Sequence, residues 1–203
     1  MVFMHKIDSE NGGFMVLNRL LKAFGLGSNP NRRLIDQLHA QIVHAARQPE
    51  FYISYGLSDD FDKRFELFCL FCSLVLQRLT KLPAPGPDVA QDLTDSVVRH
   101  LEIILRQEGI GDVAVPKRIK KYVQSFYGRN VAYMTACAAA DAQSLLDSLT
   151  RNLTAGAKAG EENAFAALRM LHYVQATIRA LEGAELAVFT DGQVPFPDPA
   201  QVK

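Results

Sequence analysis

Apolar residues recur at three- and four-residue spacing along almost the whole chain, and no stretch alternates as a half-buried strand would. The first such run is FMVLNRLLKAFG from Phe14, which reads as a short amphipathic helix ended by Gly25. After Pro30, NRRLIDQLHAQIVHAARQ places Leu34, Ile35, Leu38, Ile42, Val43 and Ala46 on one helical face. Pro49 closes that helix, and PEFYISYG reads as a connecting loop.

The next run, SDDFDKRFELFCLFCSLVLQRLTKL, has a different pattern. Ser58 is the expected N-cap, and Asp59 and Asp60 favour the positive helix end. At about 100° per residue its apolar side chains cover most of the circumference. They leave a narrow polar strip of Asp62, Glu66, Ser73 and Gln77. A helix apolar on most sides belongs at the centre of a bundle. Arg64 falls in the apolar arc and so needs an acid, for which Asp60 at i−4 is the expected partner.

PAPGP, Pro83 to Pro87, is a stiff connector. It leads to a helix from Asp88 to Glu108 with Leu93, Val97, Leu101, Ile104 and Leu105 as its core stripe, and Gly109 at the stop position. Pro116 then occupies the first turn of a long helix reaching toward Leu153, and a last helix spans Glu161 to Leu186. TDGQVPFPDPAQVK, with three prolines, reads as an extended tail with little to bury. The sum is an all-α, single-domain bundle of about six helices. Residues 1–30 form an N-terminal segment, 31–186 the helical domain and 187–203 the tail.

Composition narrows this picture. A chain of 203 residues, 48% hydrophobic and 22% charged, suits one well-packed domain and argues against widespread disorder. Lys and Arg number 22, as do Asp and Glu, which argues against a general nucleic-acid binder. An odd count of 3 cysteines makes no disulfide framework and fits a reducing compartment. Asp8 and Glu10 with no long apolar run argue against a secretory or transit segment. The longest membrane-span candidate, Phe65 to Leu79, is broken by Glu66, Ser73, Gln77 and Arg78. A soluble, intracellular, bacterial protein is expected.

Charge is not evenly spread. Val113 to Ala140 holds no acid but five bases: Lys117, Arg118, Lys120, Lys121 and Arg129. On a helical wheel Lys117, Arg118, Lys120 and Lys121 fall within an arc of roughly 160°. Ile119, Val123, Phe126, Tyr133 and Cys137 lie opposite, with Tyr127 and Arg129 near the border. Cations at a helix N-terminus oppose the dipole, so this placement does not serve the helix itself. A solvated surface would show the same pattern. The functional reading is an anion-binding face for RNA, lipid headgroups or an acidic protein loop.

Cys69 and Cys72 form a C-x-x-C, but inside a greasy helix, where they read as small hydrophobes. Cys137 reads the same way. His5, His39, His44, His100 and His172 form no H-x-x-x-H pair. No nucleophile elbow, phosphate loop or dinucleotide fingerprint is present. No catalytic group, metal or cofactor is therefore expected.

DDFDKRFELFCLFCSLVLQRL, followed by HLEIILRQEGIGDVAVPKRIKKYVQSFYGR, resembles the ubiquinol–cytochrome c chaperone family. The signature is carried by Gly109, Gly111, Asp112, Val115, Lys117, Ile119, Lys120, Lys121, Phe126, Tyr127, Gly128 and Arg129, and a second element by Arg64, Phe65 and Glu66. The resemblance implies a non-enzymatic helical chaperone that binds newly made cytochrome b for assembly of the respiratory bc1 complex. It implies action at the inner membrane, contact with the ribosome or an anionic surface, and, in mitochondrial members, a small partner protein. The candidate partner-binding residues are then Lys117, Arg118, Lys120, Lys121, Tyr127 and Arg129. Arg64, Glu66, Gly109, Gly111, Asp112, Phe126 and Gly128 are the candidate structural residues. A haem-handling protein or an enzyme sharing the fold is the alternative.

Overall fold

In the computed structural model, described over residues 31–107, 115–138, 141–153 and 161–202, the chain is helical and those residues form no strand. It divides into Met1–Arg33 and Leu34–Lys203, and the described helices belong to the second unit, save for the first two residues of α1. They are α1 (Arg32–Ala46), α2 (Glu50–Ile53), α3 (Phe61–Lys81), α4 (Gly86–Gln107), α5 (Val115–Ala138), α6 (Ala142–Leu153), α7 (Glu161–Gly183) and α8 (Leu186–Thr190). All but the short α2 and α8 run 12 residues or more, so the described residues hold six principal helices, in line with an all-α bundle of about six. The helix expected from Phe14 lies outside the described residues, as do Gly109, Gly111 and Asp112.

Helix α3 is central, packing against α4, α5, α6 and α7. Its N-cap is Asp60 rather than Ser58. The Asp60 carboxylate accepts from the Lys63 backbone N–H at 2.9 Å, while the Ser58 hydroxyl donates to the other carboxylate oxygen at 2.6 Å. Leu67, Cys69, Leu70, Phe71, Cys72 and Val75 are fully buried. The polar strip is mostly buried too, which the helical wheel did not anticipate. Only Asp62 is exposed, whereas Glu66, Ser73 and Gln77 are covered. Helix α5 lies across this side: Gln77 donates to the Met134 carbonyl at 3.2 Å, and Glu66 meets α5 side chains described below. The strip is thus a polar seam between two helices.

Three further expectations change. PEFYISYG is not only a loop: Pro49 starts α2, accepting from the Ile53 N–H at 2.9 Å, and Phe51 packs edge-on against Tyr173. The long helix from Pro116 toward Leu153 is two helices. Asp141 caps the second, accepting from the Gln143 and Ser144 N–H groups at 3.0 and 3.3 Å. The last helix stops at Gly183, and the tail beyond it is tied down. Phe189 is fully buried, and the Tyr55 and Tyr173 hydroxyls donate to the Pro199 and Pro197 carbonyls at 2.9 and 3.0 Å. Burying one phenylalanine contributes about 1.5–3 kcal/mol, so the tail had more to bury than its prolines implied. Gly192 turns the chain there at φ +75°, where an added Cβ would lie 2.7 Å from the Gln37 amide oxygen.

Candidate functional site

Helix α5 carries the basic run. Val115–Ala138 has no acid in its first turn, so nothing there matches the positive helix end. Lys117 and Arg118 lie in that first turn, their side chains outside the described residues. Lys120 and Lys121 are exposed. The opposite face is core: Phe126 and Tyr133 are fully buried, as the apolar periodicity requires.

The helix is held to α3 by a buried charge. The Arg129 Nε donates to Glu66 Oε2, and the Tyr133 hydroxyl donates to Glu66 Oε1 at 2.8 Å. Asn152 from α6 donates to the Tyr133 oxygen at 3.1 Å, joining a third helix to the network. The Arg129 guanidinium also stands 5.5 Å over the Phe65 ring. Burial opposes the Arg129 charge, but the Glu66 carboxylate more than restores it, and the guanidinium pKa lies above its ordinary value. Burial, then the adjacent Glu66 charge, pushes the Tyr133 phenol well above its usual range, so it remains a donor. The two halves of the motif quoted above, Phe65–Glu66 and Tyr127–Arg129, therefore meet in space although 63 residues separate Glu66 from Arg129.

Arg64, from the same motif, behaves otherwise. Its side chain is 50% exposed and pairs with Asp59 at 2.7 Å, not with Asp60, whose carboxylate is occupied as the N-cap. The apolar arc in which the wheel placed it is open to solvent at that turn. Arg64→Ala should therefore leave the thermal melt close to wild type, because exposed pairs contribute little. A sharp fall in melting temperature would show a burial role instead.

Next to the network, Lys121, Phe65, Glu66, Tyr122, Arg129 and Asn152 line a cavity of about 220 Å³, bordered by Asp62. Phe65 and Tyr122 of that lining form an aromatic cluster with Phe61, Tyr122 standing edge-on to the Phe61 and Phe65 rings at 5.7 and 5.1 Å. Cys69 and Cys72 lie in the core, their thiols pushed up by burial, and Cys137 is half-buried with its thiol raised to about 11 by the same cause. Among the described residues no cluster of three or more His, Cys, Asp or Glu could hold a metal ion.

Sequence reasoning missed part of the outer face. Tyr127 is 46% and Val131 66% exposed, four residues apart on α5, and Gly128 between them faces open space. The i, i+4 spacing of two exposed apolar residues beyond Lys120 was a readable signal that the charge pattern obscured. The site thus has a cationic end, an apolar end and a buried ion pair beneath. Among the described residues its polar groups are arranged to hold a helix in place.

A protein-family model described as ubiquinol-cytochrome C chaperone matches residues 54–196. Among solved structures, the crystal structure of the Cbp3 homolog from Brucella abortus is similar, with a TM-score of 0.74 and 31% sequence identity over 91% of this chain and 99% of that one. No curated protein matches the chain.

Proposed function

The chain belongs to the ubiquinol-cytochrome c chaperone family, and from that premise we propose that it binds unassembled cytochrome b and promotes assembly of the bc1 complex without catalysing a reaction. The observation that supports this reading is the outer face of α5, where exposed Lys120, Lys121, Tyr127 and Val131 stand on a helix locked from below by Glu66 and Arg129. Exposed cationic and apolar groups side by side suit a partner that is itself part apolar, as a membrane protein is. Lys117 and Arg118 extend the cationic end in sequence, and Arg129 serves the face by fixing it. No described helix is long and apolar enough to cross a membrane. Our reading places the protein at the inner-membrane surface through its client.

Deletion of the gene in its own host should lower assembled bc1 complex and steady-state cytochrome b, and the wild-type gene should restore both. Normal bc1 levels in the deletion strain would sink the reading. Lys120→Gln/Lys121→Gln should restore assembly only partly while melting like wild type, since the fold does not use these charges. A Soret band in the purified protein would favour the haem-handling alternative.

A further inference from the structure

Gly128 is a glycine in the interior of a 24-residue helix, exposed, with nothing within 4 Å of the Cβ it lacks. Glycine weakens a helix interior relative to alanine. Neither the backbone conformation nor any neighbouring group among the described residues requires it there. Around it, Lys120, Lys121, Gln124, Tyr127, Gly128, Val131 and Thr135 are all exposed and share an arc of about 120° on the α5 wheel. Tyr127 touches only its neighbour Phe126 among the described aromatic rings, at 5.6 Å. The arc is cationic toward the N-terminus and apolar around the glycine, and Asp62 and Glu66 line the same cavity as Lys121.

A missing side chain flanked by two exposed apolar ones is what close packing of another helix needs, because small residues let two backbones approach. From this we infer that the outer face of α5 seats one helix of the client, crossing over Gly128 beside Tyr127 and Val131, with an acidic end against Lys120 and Lys121. The inference rests on the chaperone reading and adds the shape and charge of what is bound. Charge complementarity selects the acidic end, and the apolar pair selects a helix with an apolar face.

The test uses full-length protein and two synthetic helical peptides of identical apolar face, one ending in two glutamates and its twin in two lysines, with binding read by fluorescence anisotropy. The glutamate peptide should bind and the lysine twin should not. Gly128→Leu should weaken binding by about tenfold or more, the scale of overpacking one close contact. Gly128→Ala should raise the melting temperature, since its Cβ meets nothing, yet bind less well than wild type. Lys120→Gln/Lys121→Gln should lose the discrimination between the peptides. Equal binding of the twins, no binding of either, or unchanged affinity of Gly128→Leu would each overturn the inference. So would binding confined to vesicles of phosphatidylglycerol, which would make the face a membrane contact. In the deletion strain, full rescue by Gly128→Leu would reject this surface while leaving the chaperone reading intact. Normal bc1 levels in the deletion strain itself would reject the chaperone reading.

Discussion

Arg129→Met should cost about 3–5 kcal/mol, the typical result of removing one partner of a buried ion pair. The asymmetry of the pair makes this the more severe truncation. The Glu66 side chain is 2% exposed and that of Arg129 30%, so losing the arginine strands the deeper charge. The Tyr133 hydroxyl would still donate to that carboxylate. Domains of this kind hold about 5–15 kcal/mol in all, so a large share of the stability would go. Adding Glu66→Gln to Arg129→Met should recover about 1–3 kcal/mol, because the amide removes the stranded charge and keeps an oxygen for Tyr133. Urea midpoints of the two single variants and the double variant are the measurement. A single Arg129→Met variant with the wild-type midpoint would mean that the pair is not closed in solution. Arg129 would then be free to serve as a binding residue instead.

Mild acid should destabilise the fold through His39. This side chain on α1 is 6% exposed, its Nδ1 lies 3.3 Å from the Ser96 hydroxyl, and its Nε2 has no hydrogen-bond partner among the described residues. The His100 ring stands 4.5 Å away and Phe68 covers another side at 5.5 Å. Burial first, and then His100, lowers the His39 pKa to about 4, with Asp36 working the other way. Burial and Arg47 lower His100 as well, so this ring on α4 does not welcome a proton either. A depressed histidine contributes stability that is present above its unfolded pKa near 6.5. It is lost as the unfolded chain takes up a proton that the native state refuses, between about pH 6.5 and 4. The loss amounts to about 3 kcal/mol at the lower end. Asp59, Asp60 and Asp141, whose pKa values are lowered by hydrogen bonds from Arg64, Ser58 and Ser144, lose their contributions at more acid pH, so the window belongs to the histidines. Urea midpoints at pH 7 and 4.5 test this. His39→Leu should flatten the slope whatever its absolute stability. An equal fall in both proteins would refute the assignment.

The sequence and the structure part company at identifiable residues. The circumferential greasiness of Phe61–Lys81 marked α3 as central, and the opposed faces of Val115–Ala138 placed Phe126 and Tyr133 inside and Lys120 and Lys121 outside. Both readings succeed because burial along one helix repeats with the helix period, a property contained in a local window. Glu66 falls on the polar strip for the same local reason, and a carboxylate on such a strip gives no sign that a helix will cover it. Arg64 was read as buried because an apolar arc gives no sign that one turn of it stays open.

Local pattern by itself determined the helical class, the axis of the core and the two-sided character of the basic helix. Only the tertiary structure decided which polar groups are buried, where the candidate face ends and what the tail does. Glu66 finds Arg129 63 residues away, Gln77 finds the Met134 carbonyl 57 away and Tyr55 finds the Pro199 carbonyl 144 away. Periodicity records the cost of exposing apolar surface, which each residue carries with it. A buried hydrogen bond or ion pair is favourable only when a particular distant group arrives to complete it, and that arrival is set by how the helices pack.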